Sequence, residues 1–140
     1  MKMNKSKDLG KTPKTIEELN AGFIWTADQA LDNWHVMRAD ETGKFRGDCD
    51  DYAATFAYIE SGSSWPRFWW RTVMLQHVFW WGRTRGNEDH VLLWVRGKGW
   101  VDNTNPVYGK LTLRVFLPIP FFIVAFQLAH GKFQAYLRSR

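Results

Sequence analysis

An intramolecular disulfide is excluded at the outset, because the 140-residue chain contains a single cysteine, Cys49. The staple that holds many small secreted domains is therefore missing. Between Met1 and Asn20 there is no apolar run of signal-peptide length, so the expectation is cytoplasmic synthesis without a signal peptide. A membrane-spanning run is lacking too. The most apolar segment, Val115 to Ala129, carries Pro118, Pro120 and Gln127 and falls short of the roughly 18 to 20 residues that a span requires. It reads as a buried strand-and-helix ending, the alternative being an interfacial anchor through Phe116 to Phe126 backed by the basic C-terminus. Repeats and low-complexity tracts are absent. His35, His77 and His130 have no ligand-like spacing with one another or with Cys49, so no zinc site is inferred.

Acidic residues are the scarcer charge: 14 Asp and Glu stand against 19 Lys and Arg, a net charge of +5. Much of the excess lies at the ends, in Lys2, Lys5, Lys7, Lys11 and Lys14 and in Lys132, Arg138 and Arg140. Such a balance favours an acidic partner or simply solvated tails. No aromatic residues interleave the N-terminal lysines, so no specific nucleic-acid motif is read there.

Apolar side chains are plentiful, at 45% hydrophobic and 16% aromatic with nine tryptophans, enough for one core in one domain. Residues 1–14 read as a flexible basic arm and residues 15–140 as a single domain. Thr15 with Glu18 forms a capping box. Phe23, Ile24, Ala27, Leu31, Trp34 and Met37 recur at helical spacing and predict a helix from Gly22 to about Ala39. After a loop at Asp40–Lys44, Gly47-Asp48 opens a second helix, Cys49 to about Glu60, ended by Ser61-Gly62-Ser63-Ser64. Beyond Pro66 the composition turns to β-branched and aromatic residues. Strands are expected at Arg71–Trp80, His90–Val95, Trp100–Asp102 and Leu111–Leu117, with turns at Gly82–Asn87 and Gly97-Lys98-Gly99. The fold class is α+β: N-terminal helices, one bearing the cysteine, packed on an antiparallel sheet.

The strongest local string is Gly47-Asp48-Cys49-Asp50-Asp51-Tyr52-Ala53. A cysteine in the first helical turn lies at the positive end of the helix dipole, where unpaired N–H groups favour a thiolate and can hold an oxyanion. His90 opens an apolar strand and Asp102 closes the next one. A hairpin between Val91 and Val101 brings the two together as a base and its orienter. If the turn centres on Arg96, His90 faces Asp102; if it centres on Gly97-Lys98, Asn105 lies nearer. Asn103 and Asn105 are therefore alternative orienters.

Gly-Asp-Cys-Asp-Asp-Tyr-Ala, His-Val-Leu-Leu-Trp-Val and Trp-Val-Asp-Asn, in that order, resemble the bacterial transglutaminase-like cysteine proteinases of the papain-like group. The resemblance covers about Ile24 to Pro106, and the tail beyond Pro106 has no counterpart. It implies a Cys-bearing helix against adjoining strands, with Cys49 as nucleophile, His90 as general base and acid, and Asp102 as orienter. Asn33 and Trp34 are candidates by position for the oxyanion side chain. No cofactor is required, although some members of the resembling family bind Ca²⁺ through acids flanking the cysteine, which here are Asp48 and Asp50. The same acids should oppose a thiolate by repulsion; their alternative role is helix capping.

The expected activity is hydrolysis of an amide bond in a protein or cell-wall (peptidoglycan) peptide. The alternative is an inactive scaffold in a larger assembly, such as a phage particle, which would place the chain in a virion. The aromatic stretch Trp65, Phe68, Trp69, Trp70, Phe79, Trp80 and Trp81, with Arg67, Arg71, Arg83 and Arg85, is read either as core packing or as a platform for a sugar face or a protein partner.

Overall fold

A computed structural model describes residues 10–26, 34–83, 89–111 and 114–138. Thr15 accepts the Glu18 N–H and starts α1 (Ile16–Gly22). The chain then extends into β1 (Phe23–Trp25) rather than continuing as the long helix that the spacing predicts. β1 pairs in parallel with β2 (Phe45–Gly47), Phe23 opposite Phe45 and Trp25 opposite Gly47. Residues 34–39 belong to neither helix nor strand, with Met37 and Ala39 buried and Arg38 exposed between them. Side chains of the next helix set this conformation: the His35 N–H donates to Asp51 and the Met37 N–H donates to Thr55 Oγ1. Tertiary hydrogen bonds thus override a helical apolar pattern.

The N-terminal arm is likewise more ordered than expected from Gly10 onward. Gly10 donates to the Ala39 carbonyl, Ala39 donates to that of Lys11, and Pro13 is buried.

The cysteine helix α2 (Cys49–Glu60) has the expected bounds. Tyr52 and Phe56 are completely buried on it, worth about 2–3 kcal/mol each. Ser64 and Pro66 then start α3 (Trp65–Val73), where a strand was expected from Arg71. Ser at the cap and Pro in the first turn are helix-start signals that outweigh β propensity. Strand β3 (His77–Arg83) begins later and takes in the first two residues of the turn expected at Gly82–Asn87, whose remainder, 84–87, lies outside the described residues. It is followed by β4 (Asp89–Val95), β5 (Gly99–Val101), β6 (Arg114–Pro118) and α4 (Phe121–Arg138).

These last four strands form an antiparallel sheet in the order β5-β4-β3-β6. Val91, Leu93, Val95 and Val101 turn one face of it into the core with the apolar side of α2. On the other face Trp80 and Trp100 lie 5.6 Å apart. The β4–β5 turn requires glycine at 99: φ is +118°, and a Cβ would sit 2.8 Å from the Gly109 carbonyl oxygen, which accepts the Trp100 N–H.

Candidate active site

Asp48 caps α2 and Cys49 is its first residue. The cap is reciprocal: the Asp51 N–H donates to Asp48 Oδ1 and the Asp48 N–H to Asp51 Oδ2, both at 3.3 Å. Asp51, absent from the sequence-derived site, is thus a positioning residue. Its place three residues after Asp48 is the capping-box signal. Asp51 Oδ1 also accepts the His35 N–H and lies 2.9 Å from His35 Nδ1. Gly47 makes the close approach possible, since a Cβ there would lie 2.7 Å from Met37 Sδ and 2.8 Å from Asp51 Cβ.

The sulfur is held from the sheet side. Val101 of β5 pairs with Leu93 of β4, and β5 ends there. In an antiparallel ladder every second residue hydrogen-bonds to the same neighbour, so the Val91 N–H points to where β5 has stopped. It donates to Cys49 Sγ at 3.4 Å. Strand length and register therefore dock the Cys49 sulfur at the sheet edge where β5 has stopped, on the backbone N–H of the residue after His90.

His90 and Asp102 have the alternation opposite to Leu93 and Val101, and so share a face. The β4–β5 pairing is centred on Gly97, the register expected to favour Asn105. Asp102 nevertheless reaches diagonally, its Oδ2 3.0 Å from His90 Nε2, with the two side chains 2% and 5% exposed. The turn after β5 explains the outcome. Asp102 Oδ1 accepts the N–H groups of Thr104 and Asn105 and the Thr104 hydroxyl, at 3.0, 2.6 and 2.9 Å. Asn105 thus supports Asp102 through its backbone, while its amide donates to Thr104 Oγ1. Asn103 Oδ1 is buried with no hydrogen-bond partner among the described residues. Neither asparagine takes the place of Asp102 on His90. Tyr52 donates to Asn20 Oδ1 and Asn20 donates to the Pro106 carbonyl, tying α1 and α2 to the loop beyond Asp102.

Burial works against the charge of Asp102, but hydrogen bonds from His90, Thr104 and Asn105 prevail and hold its carboxyl below the usual range. Cys49 stands at the opposite limit. Desolvation raises its thiol pKa first of all, Asp50 and Asp48 add repulsion, and the Val91 N–H offsets only part, leaving the group pushed up to about 12. The thiol is therefore protonated at rest. Burial likewise lifts Asp51 to about 6, against the pull of His35.

Asp48, Asp50 and Asp51 place ligand atoms within 4.8 Å of one another. Capping and His35 already use Asp48 Oδ1 and both Asp51 oxygens. Ca²⁺ takes six to eight oxygens, and this set does not fit such a cage. Of the oxyanion candidates, Asn33 lies outside the described residues. Trp34 is buried with its ring 5.2 Å from Phe79. Of the first-turn amides of α2, that of Asp51 is given to Asp48 Oδ1 and that of Asp50 to the sulfur, so the backbone donor considered for an oxyanion is the Cys49 N–H.

The other histidines sit apart from this corner. His77 is fully buried with Nε2 2.7 Å from Thr72 Oγ1, and His130 stacks on Phe126. The aromatic stretch is divided: Phe68 and Phe79 are core, while Trp70 and Trp81 are exposed. No family model, curated protein or solved structure matches the chain. The reading of this corner rests on its own geometry.

Proposed function

We propose that the chain is a cysteine hydrolase of transglutaminase-like, papain-like design that cleaves an amide bond in a protein or wall peptide. The observations that carry this are that Cys49 Sγ accepts the N–H of Val91, the residue after His90, and that the buried His90 ring is held by Asp102. Asp102 engages Nε2, which leaves Nδ1 for proton transfer.

A thiol held protonated at rest cannot act as a preformed thiolate. His90 Nδ1 therefore takes the thiol proton as sulfur bonds to the carbonyl carbon and the carbonyl electron pair moves to oxygen. The Cys49 N–H, at the first turn of α2, opposes that charge. Collapse breaks the C–N bond, and the imidazolium gives its proton to the leaving amine. Water, deprotonated by His90, then attacks the thioester. The acid is released and the thiol regains its proton. Asp102 stabilises the transient imidazolium throughout. An amine in place of water would give transamidation by the same steps.

Protein and wall-peptide substrates are tested by trapping the acyl-enzyme. A thioester at Cys49, found by mass spectrometry after acid quench, supports the proposal. Cleavage undiminished in Cys49→Ala overturns it.

One observation favours a second reading, an inactive scaffold within a larger assembly such as a phage particle: burial and flanking aspartates hold the Cys49 thiol in its unreactive form. Exposed Trp70 and Trp81 would then serve as assembly contacts. On this reading, thiol-directed probes modify native Cys49 no faster than they modify the unfolded chain.

A further inference from the structure

Helix α4 is apolar on two sides. Val124 and Leu128, one turn apart, are buried in the core with Ile123 packed beside them. Phe122 and Phe126, also one turn apart, are 61% and 67% exposed. A surface helix normally places polar groups there, but Gln127 is the one polar residue between Phe121 and Ala129. The preceding edge strand β6 exposes Phe116 and Leu117. A cavity of about 290 Å³, lined by Val73, Leu75, Pro118 and Phe121 among others, joins this surface to the end of α3.

The end of α3 adds an independent sign. Leu75 donates to the Thr72 carbonyl and Gln76 to that of Arg71, a Schellman ending in which Leu75 occupies the position usually held by glycine. Its φ is +57°, a conformation that costs a non-glycine residue on the order of 1 kcal/mol. Yet its side chain is 56% exposed and contributes little to the core. A strained, exposed leucine lining the same cavity as the exposed Phe121 points to a surface used outside the fold.

Charge selects the occupant. From Asn103 to the last residue the chain carries Lys110, Arg114, Lys132, Arg138 and Arg140 and no aspartate or glutamate. Arg83 stands 5.5 Å over the Phe116 ring. Among the described residues no helix is long and apolar enough to cross a membrane, which leaves attachment in the plane of the surface. We infer that the β6–α4 face, continued by Leu75, docks onto an anionic lipid bilayer. Phe122 and Phe126 enter the boundary between headgroups and acyl chains, and the net positive charge of this stretch of sequence favours lipid phosphates. A protein partner or second copy would use the apolar face, but would leave a long stretch with basic residues and no acid unexplained.

The test is co-sedimentation of the full chain with vesicles of equimolar phosphatidylglycerol and phosphatidylcholine, against phosphatidylcholine alone. Expected is binding to the anionic vesicles at least tenfold above the neutral ones, weakened by salt, and lost at least tenfold in Phe122→Ser/Phe126→Ser. Circular dichroism checks that the variant is folded, and Leu75→Ser, away from α4, gives a second reading. Wild-type protein that stays in the supernatant overturns the inference. So does equal binding to both vesicle types, or a dimer in light scattering that the double variant dissolves without any vesicle binding. The sulfur chemistry is not involved in this assay, so its outcome is separate from that of the proposed hydrolysis.

Discussion

The corner around Cys49 and the face formed by β6 and α4 use opposite physics. At the corner, polar side chains hold one another: Asp48 and Asp51 cap each other, Asp51 holds His35, and the buried Asp102 accepts from Thr104 and Asn105 beside His90. At the other face, large apolar side chains stand in solvent and a leucine is kept at positive φ. Buried polar networks fix one geometry because a half-satisfied network is costly. An exposed apolar face fixes nothing internal, and its cost is removed only by something that covers it. The corner thus fixes positions, whereas the face leaves apolar side chains uncovered.

The largest expected effects break the corner. His90→Ala removes the base, and Asp102→Asn replaces the acceptor on Nε2. Each should lower amide hydrolysis by about 10²–10⁴-fold, measured as kcat/KM, with the Cys49→Ala background subtracted.

Acid sharpens the contrast between buried groups in the two halves. Burial depresses His77 from 6.5 to about 4, with Arg71 adding repulsion. Its neutral form therefore contributes stability above pH 6.5 that is lost as pH falls towards 4, on the order of 3 kcal/mol in all. Asp51 runs the other way: its raised pKa favours the protonated form in the fold, so its contribution is present below about pH 4 and lost as pH rises through 6. The two oppose each other across one window. Urea unfolding of His77→Gln should show stability rising from pH 6.5 to 4, and that of Asp51→Asn should show it falling.

A smaller effect is expected from Gly47→Ala, whose Cβ meets Met37 and Asp51. It should cost about 1–3 kcal/mol and slow Cys49 modification, because the N-cap shifts. Leu75→Gly, the smallest change, should stabilise the protein by about 1 kcal/mol by removing the positive-φ strain, readable as a higher Tm.

Much of the corner is legible in the chain because its signals are local. Asp48 before Cys49 marks a helix start, and the apolar run after His90 marks a strand. What escaped was set by distant partners. Residues 34–39 are not helical because Asp51 and Thr55 take the amides of His35 and Met37, and an apolar period cannot reveal that. The strand expected at Arg71–Trp80 begins as a helix because Ser64 and Pro66 outweigh the β-rich composition beyond them. The choice of Asp102 over Asn105 depended on the turn from Asn103 to Asn105, which points the carboxylate back although the register is centred on Gly97. The role of Val91 follows from where β5 stops, a matter of strand length to within one residue. The exposure of Phe122 and Phe126 was hidden for another reason: composition does not tell which side of an all-apolar helix meets the core.

The central claim is that Cys49 is a nucleophile driven by His90, and acylation by p-nitrophenyl acetate tests it most directly. The account predicts a stoichiometric nitrophenolate burst from native protein, absent in Cys49→Ala and slowed by about 10²-fold in His90→Ala, with the acetyl group recovered on Cys49. A burst that survives Cys49→Ala, or native acylation no faster than that of the urea-unfolded chain, would contradict it.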